Sequence, residues 1–207
     1  MVGSQMTIIE RARMHTQSMV GLANESEKAA AEALMARKYA ERGYGEGHRL
    51  PADCDTIVAI SDGILVGTLS LAVDGANGLP SDGVFRHELD HLRASGASLC
   101  ELTRFVVDLP SPSMTILSML FAVLHDHGLR HYDCTDLIIT ADARHRGFYR
   151  RKWGFECVGP ARLSAVSGAL SQLMRVRVAA IKPSNDNFTA SRPSRLGAFN
   201  LARSAGM

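Results

Sequence analysis

The feature that most constrains the fold is a run of three apolar segments in the middle of the chain. Ser98–Val107 is rich in β-forming residues, Ser113–His127 carries apolar residues at helical spacing, and Leu137–Thr140 is a short apolar segment. Two strands joined through a helix form a parallel pair, with a crossover that is almost always right-handed. The sequence therefore predicts an α/β fold with a mixed β-sheet flanked by helices.

Two helices are predicted before the first strand. Thr7 and Glu10 have the spacing of a capping box, and apolar residues at helical spacing follow as far as Val20. A second helix is expected from about Asn24 to about Gly43. We expect both helices to pack on the core, although one wall of a binding cleft is an alternative.

Shorter elements complete the predicted domain. Asp62-Gly63 lies between two β-forming segments, and this dipeptide supplies the positive φ angles of a tight hairpin turn. Further elements are predicted at Val84–Arg93 (helix), Arg144–Lys152 (helix), Phe155–Val158 (strand) and Gln172–Ala180 (a half-exposed edge strand). We expect one domain over residues 1–182 and a disordered tail over residues 183–207, where Ser, Asn, Pro and Arg replace the apolar pattern.

The composition excludes several classes of protein. With 46% hydrophobic and 21% charged residues, the chain is typical of a soluble globular domain, and a net charge of +2 argues against a nucleic-acid partner. It has no apolar stretch long enough for a transmembrane helix, and charged residues interrupt its start where a signal peptide would be apolar. The four cysteines lack CxxC spacing, so we expect reduced thiols in a cytoplasmic protein.

Two histidine patterns raise the question of a metal. The segment His87–His91 has the HExxH spacing that places two imidazoles and a glutamate on one helix face in zinc hydrolases. Asp90 puts a charge where such helices normally carry an uncharged residue, so we interpret the segment as a solvated helix face. His125, His127 and His131 fall near a helix end that Gly128 is expected to close, where cationic groups suit the helix dipole. We predict no metal site and keep a zinc hydrolase as an alternative.

Glu101 and Arg104 place opposite charges in an otherwise apolar strand. A buried charge costs free energy unless it is paired or used in chemistry. Residues three apart on a regular strand face opposite sides of the sheet, so these two share a cleft only if the strand contains a bulge, and bulges are common near active sites. A buried ion pair remains an alternative, but we favour a pair of active-site residues.

The predicted helix Arg144–Lys152 carries five Arg or Lys residues around Phe148 and Tyr149. A basic face of this kind suits an acidic or phosphorylated partner. A solvated charged face without a partner is the alternative interpretation.

These segments together resemble a known family. Asp142–Phe155 is similar to the fourth helix and following strand of the acetyltransferase-like (GNAT) acyltransferases. More narrowly, the chain resembles the FeeM-type N-acyl amino acid synthases, which are relatives of the acyl-homoserine lactone synthases. This resemblance spans roughly Ala30 to Arg177 and rests on the order and spacing of Tyr39, Gly67-Thr68-Leu69, Gly78-Leu79-Pro80, Glu88-Leu89-Asp90, Glu101-Leu102-Thr103-Arg104, Arg144-His145, Phe148-Tyr149 and Gly154-Phe155.

The resemblance implies a reaction and roles for particular residues. A long-chain acyl group would pass from the phosphopantetheine thioester of acyl carrier protein to the α-amine of an amino acid, with no bound cofactor. Glu101 would take or orient the amine proton, Arg104 would hold Glu101 or the amino-acid carboxylate, and Tyr149 would protonate the leaving thiolate. The implied substrate-binding residues are Arg37, Tyr39, Phe105, Arg144 and Phe148, and the implied carrier-protein docking residues are Arg146, Arg150, Arg151 and Lys152.

The loop after the Ser98–Val107 strand bears on the donor. GNAT enzymes that use acetyl-CoA carry a glycine-rich loop there, whose backbone amides bind the pyrophosphate. Here the loop reads Leu109-Pro110-Ser111-Pro112-Ser113, and proline has no amide hydrogen. We therefore favour acyl carrier protein over acyl-CoA. The alternatives are an acyl-homoserine lactone synthase, although the arginine that such enzymes carry near Ser70 is missing, a CoA-dependent N-acetyltransferase, and a non-catalytic module that binds an acyl ligand.

Overall fold

The computed structural model describes residues 18–43, 54–109, 114–164 and 168–181, with only the backbone described for residues 128–130. The elements in chain order are β1 (Ser18–Leu22), α1 (Glu25–Glu41), β2 (Asp55–Ser61), β3 (Ile64–Val73), α2 (Asp82–Ala94), β4 (Leu99–Val107), α3 (Met114–Tyr132), β5 (Asp136–Asp142), α4 (Arg146–Trp153), β6 (Glu156–Cys157), β7 (Arg162–Leu163) and β8 (Leu170–Arg177). The predicted tail, the capping box at Thr7 and most of the proline-containing loop lie outside the described residues.

The described strands form one mixed sheet. Their order is β1-β2-β3-β4-β5-β8-β6, with β7 also paired to β8. Every neighbouring pair is antiparallel except β4 and β5, which run parallel. Because α3 joins these two strands, the predicted strand–helix–strand crossover is confirmed, and so is the α/β fold class.

Helices cover both faces of the sheet. Alternate side chains of β3 point to opposite faces: Leu69 packs in the cluster that contains Leu120 of α3, and Ala72 packs with Phe85 of α2. Trp153 of α4 packs against the same cluster as α3. Thr68, which shares the alternation of Ala72, lines a groove beside α1. One layer therefore contains α1 and α2, and the other contains α3 and α4.

Two local predictions are confirmed by backbone geometry. Asp62 and Gly63 have φ angles of 51° and 78°, which are the positive values that the hairpin turn between β2 and β3 requires. Asn24 is the N-cap of α1, and its side chain and that of Glu27 form a capping box. No helix among the described residues is both long enough and apolar enough to cross a membrane.

The prediction of a first helix that reaches Val20 is wrong. Met19 and Val20 lie in β1, where they pair with Ile60 and Ala59 of β2. A strand at the sheet edge satisfies its backbone groups through its neighbour, and this long-range pairing overrides a short apolar pattern at helical spacing.

The last strand and the crossover helix also differ from prediction. β8 is not an edge strand, because β5 pairs with one of its sides and β6 and β7 pair with the other. Its adjacent residues Leu173 and Met174 are both fully buried, so both faces of the strand are covered. α3 does not end at Gly128 but continues to Tyr132, and His127 in its last turns bonds through Nε2 to Asp55 Oδ2 at 2.6 Å.

Candidate active site

The two parallel strands separate in the middle of the sheet, and we call the gap between them the cleft. β4 and β5 pair over four positions, which end at Leu102 and Ile139. Beyond that point β4 stays paired only with β3, and Thr140 and the following residues of β5 stay paired only with β8. The backbone edges of the separated segments therefore face the opening with their hydrogen-bonding groups unused by each other.

Arg104 lies at a bulge just past the point of separation. Ser70 pairs with Thr103 and Thr68 pairs with Val106, so Leu69 alone opposes two residues of β4. Arg104 has a φ of 56°, a left-handed conformation that a regular strand does not contain. The predicted bulge is confirmed. It turns Arg104 towards the face covered by α1 and α2, which is also the face of Glu101.

The Arg104 side chain occupies a small groove between the sheet and α1. Lys28 and Glu32 of α1 line this groove together with hydroxyl side chains of the sheet. Arg104 is half-buried, and this burial lowers the pKa of its guanidinium because water no longer surrounds the charge. A partly desolvated guanidinium is well suited to a carboxylate ligand, which it can bind through two parallel hydrogen bonds.

Glu101 is a buried carboxyl held by uncharged donors. Its side chain is 3% exposed, and Ser81, the N-cap of α2, provides both of its hydrogen bonds. The Ser81 backbone N–H donates to Oε2 at 2.9 Å, and the Ser81 hydroxyl donates to Oε1 at 2.6 Å. Burial raises the pKa of Glu101 to about 7, although the Ser81 hydrogen bonds act in the opposite direction. A carboxyl with this pKa can exchange a proton near neutral pH.

Tyr149 lies on the opposite side of the sheet in an aromatic cluster. Its ring centroid is 6.0 Å from that of Phe155 and 5.5 Å from that of Phe148. The cluster continues through Trp153 and Phe121 to Phe105 of β4, which lies just past the bulge. Burial raises the pKa of Tyr149, so its hydroxyl is protonated at neutral pH and can act as an acid.

The structure thus places five of the predicted residues in two groups, one on each face of the sheet. Glu101 and Arg104 lie on one face of the sheet, while Phe105, Phe148 and Tyr149 lie on the other. Tyr39, at the end of α1, packs beside Val106 and lies within electrostatic range of both Arg104 and Tyr149.

Two predicted substrate-binding arginines already have partners in the fold. Arg37 lies 2.6 Å from Asp108 and 3.4 Å from Glu41, at the end of α1. Arg144 lies 2.6 Å from Asp142 and holds the pKa of that carboxyl down at about 2. Their roles in binding substrate stay predictions.

The basic face of α4 points outward. Arg146, Arg150, Arg151 and Lys152 are exposed, and none of the four forms an ion pair with another described residue. Four positive charges on two turns of helix create a local positive potential, although the net charge of the chain is only +2.

The glutamate of the HExxH segment has a different partner from the one that zinc chemistry needs. Glu88 is 8% exposed, and Arg162 donates to both of its carboxylate oxygens at 2.6 and 2.7 Å. His87 and His91 lie on the exposed side of α2. Among the described residues, no group of three or more His, Cys, Asp or Glu side chains is arranged to hold a metal ion.

Comparison with known proteins assigns the chain to a family. Residues 30–177 match the family described as N-acyl amino acid synthase FeeM. The chain belongs to the FeeM N-acyl amino acid synthase family. No curated protein sequence matches it. It is accordingly an N-acyltransferase, and the predicted enzyme class is confirmed.

Solved structures agree with this assignment at the level of the fold. FeeM, an N-acyl amino acid synthase from uncultured soil microbes, is 24% identical with a TM-score of 0.71, over 81% of this chain and 93% of FeeM. The acyl-homoserine lactone synthase LasI is 16% identical with a TM-score of 0.57, over 79% of this chain and 91% of LasI. BjaI, a CoA-dependent acyl-homoserine lactone synthase, is 13% identical with a TM-score of 0.55, over 78% of this chain and 84% of BjaI.

Two further residues lie beside the site of this FeeM-family chain, and neither was predicted from the sequence. Ser81 holds Glu101, and the hydroxyl of Thr140 bonds to that of Ser81. The helix was predicted to begin at Val84 but begins at Asp82, so its expected N-cap position did not point to Ser81. Thr140 gave no signal, because it meets Ser81 across 59 positions of sequence.

Proposed function

We propose that this protein transfers a long-chain acyl group from the phosphopantetheine arm of acyl carrier protein to the α-amine of an amino acid. The observation that carries the proposal is the cleft between β4 and β5, with Glu101 on one side of the sheet and Tyr149 on the other. Aminolysis of a thioester needs a base for the amine and an acid for the thiolate. Glu101 would be the base and Tyr149 the acid.

The unpaired strand edges suit the donor. A phosphopantetheine arm carries amide groups along an extended chain, and such a chain can add to an exposed strand edge through backbone hydrogen bonds. The open edges of β4 and β5 would hold the arm in this way and bring its thioester to the point where the strands separate. Backbone N–H groups along the same edges would stabilise the oxyanion of the tetrahedral intermediate.

The side chains on the two faces of the sheet would bind different parts of the substrates. Arg104 would bind the carboxylate of the acceptor amino acid, with Glu101 serving its amine on the same face. The aromatic cluster that contains Phe105 and Phe148 offers apolar surface for the acyl chain. Tyr149, in that cluster, would protonate the leaving thiolate.

The exposed cations of α4 would suit acyl carrier protein as the donor. Acyl carrier proteins are acidic, and complementary charges raise the rate of association. Arg146, Arg150, Arg151 and Lys152 would form the docking surface. We place the protein in the cytoplasm, in keeping with the four free cysteines of the fold.

The reaction is tested first by mass spectrometry of lipid extracts from a bacterial host that expresses the protein. We expect a new series of N-acyl amino acids that share one amino-acid head group, and no such series from the Glu101→Ala variant. A series that survives in the variant would keep the function and remove Glu101 from the mechanism. No new lipid from well-folded protein would overturn the proposed reaction.

The donor is tested with purified protein, acyl carrier protein and CoA thioesters of one acyl chain. We expect Arg150→Glu to lower kcat/KM for the carrier-protein donor about tenfold at low salt, with a smaller loss at high salt. The matched control is Arg86→Glu, an exposed arginine on α2 at the opposite face of the sheet. Equal losses in the two variants, or a preference of the wild type for the CoA thioester, would contradict carrier-protein docking on α4.

A further inference from the structure

The hydrogen bonds of Glu101 continue beyond Ser81 to a third side chain. The hydroxyls of Ser81 and Thr140 are hydrogen-bonded, and Ser81 Oγ lies 2.6 Å from Glu101 Oε1. The three groups form a continuous chain that begins on β5, passes the N-terminus of α2 and ends on β4.

Solvent exposure differs sharply between the two ends of this chain. Glu101 and Ser81 are 3% and 5% exposed, so the fold shields both from a substrate in the cleft. Thr140 is exposed, and it follows Ile139, the last residue of β5 that pairs with β4. A substrate at the opening of the cleft can therefore contact Thr140, and the two hydroxyls connect it to Glu101.

The chemistry of the three groups sets the direction of their hydrogen bonds. An ionised carboxylate only accepts hydrogen bonds, so Ser81 donates its single hydroxyl proton to Glu101. The Ser81 oxygen then accepts from the hydroxyl of Thr140. The Thr140 oxygen can in turn accept from a donor in the cleft. When Glu101 is protonated, all of these hydrogen bonds can reverse.

The surroundings of Glu101 allow it to hold and release a proton. Burial raises its pKa to about 7, and the nearby charge of Asp82 on α2 acts in the same direction. Asp82 is itself held by Arg93, β5 contributes the uncharged Thr140, and Arg104 of β4 lies in the groove beside α1. A base works best when its pKa is close to the working pH.

We propose that Thr140 and Ser81 relay the proton of the acceptor's ammonium group to Glu101, with Thr140 as the residue that contacts the acceptor amine. The inference rests on the proposed function, because it needs an amine as acceptor. It makes Thr140 a catalytic residue and Ser81 a positioning residue that acts through Glu101.

Atoms and charges balance along the relay. An N–H bond of the ammonium breaks and nitrogen keeps the electron pair, while Thr140 and Ser81 each accept one proton and give up one. An O–H bond forms on Glu101, which becomes neutral. The free amine then attacks the thioester carbonyl, and the C–S bond breaks as Tyr149 protonates the thiolate. The second amine proton replaces the one that Tyr149 gave up. Glu101 returns its proton to solvent through the same hydroxyls.

A purely structural role for these hydroxyls predicts different kinetics. The same hydrogen bonds tie the start of α2 to β4 and β5, and their loss would lower the activity by one factor at every pH. A relay matters only while the acceptor amine is protonated. Loss of a relay is therefore most severe at neutral pH and shrinks as the pH rises towards the pKa of the amine.

The deciding experiment compares Thr140→Val with Thr140→Ser in the purified full chain, assayed with acyl carrier protein and the amino acid found by mass spectrometry. Valine keeps the shape of threonine without the hydroxyl. We expect Thr140→Val to lower kcat/KM on the order of 100-fold near neutral pH, with a deficit that shrinks as the pH rises. Thr140→Ser restores the hydroxyl and should stay close to the wild type.

Ser81→Ala provides a second measurement of the same relay. Its deficit should show the same dependence on pH. The acid limb of its pH–rate profile should also move to higher pH, because the Ser81 hydroxyl lowers the pKa of Glu101. Should this buried substitution prevent folding, the exposed Thr140 variants decide the question.

The outcomes separate this inference from the proposed function. Equal rates for Thr140→Val and the wild type at neutral pH, or a deficit that is constant with pH, overturn the relay and leave the acyl transfer in place. A wild-type protein that forms no N-acyl amino acid with any donor overturns both.

Discussion

Two buried glutamates on or beside α2 differ in what holds them. Glu88 of α2 is 8% exposed and Glu101 of β4 is 3% exposed. Arg162 donates to both oxygens of Glu88 and thereby lowers the pKa of that carboxyl. Glu101 receives only the uncharged donors of Ser81, and burial raises its pKa to about 7.

This difference shows which of the two carboxyls is suited to stabilising the fold and which is suited to proton transfer. A carboxylate paired with a guanidinium stays ionised across the physiological range, so it can fasten one element to another but cannot exchange protons there. A carboxyl that is buried with hydroxyl and amide donors keeps both protonation states accessible. The HExxH segment drew attention to Glu88, yet the site with accessible proton chemistry is at Glu101.

The largest expected effect comes from removing the ionisable group of Glu101. Glu101→Gln keeps the size of the side chain and an oxygen that accepts from Ser81. We expect a loss of about 100- to 10,000-fold in the rate of acyl transfer, which is the range for a general base. The measurement is single-turnover transfer from saturating acyl donor.

Glu88→Gln is the matched control for that substitution. It makes the same chemical change in Glu88, a second buried glutamate, which the proposed mechanism does not use. We expect it to lower stability while the folded protein transfers acyl groups at the wild-type rate. An equal loss of transfer in both variants would show that the two carboxylates do not differ in function.

The second effect is on stability as a function of pH. The folded-state pKa of Glu101 is raised to about 7, so its favourable contribution is present below the unfolded value and is lost as the pH rises through about 7. Glu101→Gln is always neutral and avoids this loss. We expect it to gain stability over the wild type between about pH 5 and pH 8.5, by on the order of 3 kcal/mol.

Urea unfolding across that pH range measures the gain. Glu88 has the opposite sign, because its lowered pKa gives stability that is present above the unfolded value and is lost only as the pH falls through the folded value. The free energy of unfolding of Glu88→Gln should therefore change with pH in parallel with that of the wild type above about pH 5. Parallel curves for Glu101→Gln and the wild type would contradict the raised pKa.

The sequence indicated that Glu101 was unusual, but it did not indicate which residues hold Glu88 and Glu101. The apolar strand made Glu101 and Arg104 conspicuous, and their spacing required the bulge that Arg104 forms. The partners of the two carboxylates come from distant positions: Arg162 is 74 residues from Glu88, and Ser81 is 20 residues from Glu101. Local sequence patterns cannot predict such contacts, because the pairing of the strands and the positions of the helix ends bring the residues together.

The misassigned elements have the same physical origin. Apolar residues around Val20 suit a helix locally, and pairing with β2 made them a strand. The alternation in Gln172–Ala180 suggested an edge, and β6 and β7, which are two residues each, cover that side of β8. Segments with long, uniform apolar patterns, such as β4 and α3, were predictable because no distant partner was needed to define them.

The third prediction concerns Arg162, the partner of Glu88 but not of Glu101. Arg162→Met keeps an apolar stem against Phe85 and leaves Glu88 buried without its cation. Breaking a buried ion pair from one side is costly, and since Arg162 is partly exposed we expect a loss of about 2 kcal/mol in the free energy of unfolding. Denaturant unfolding measures it. An unchanged midpoint would show that Arg162 is not what makes Glu88 compatible with burial.

The smallest effect on stability is expected from a substitution of Asp90. Asp90 lies on α2 like Glu88 and also bonds to an arginine, so the main difference between the two is how deeply each is buried. Asp90 lies 2.8 Å from Arg93, and its side chain is 55% exposed. Arg93 keeps Asp74 and Asp82 when Asp90 is lost. An exposed ion pair contributes little because water screens it, so Asp90→Asn should cost about 0.3 kcal/mol and leave acyl transfer unchanged. A loss of stability as large as that of Arg162→Met would show that burial does not set the strength of these ion pairs. Burial would then not explain why Glu88 needs an arginine while Glu101 does without one.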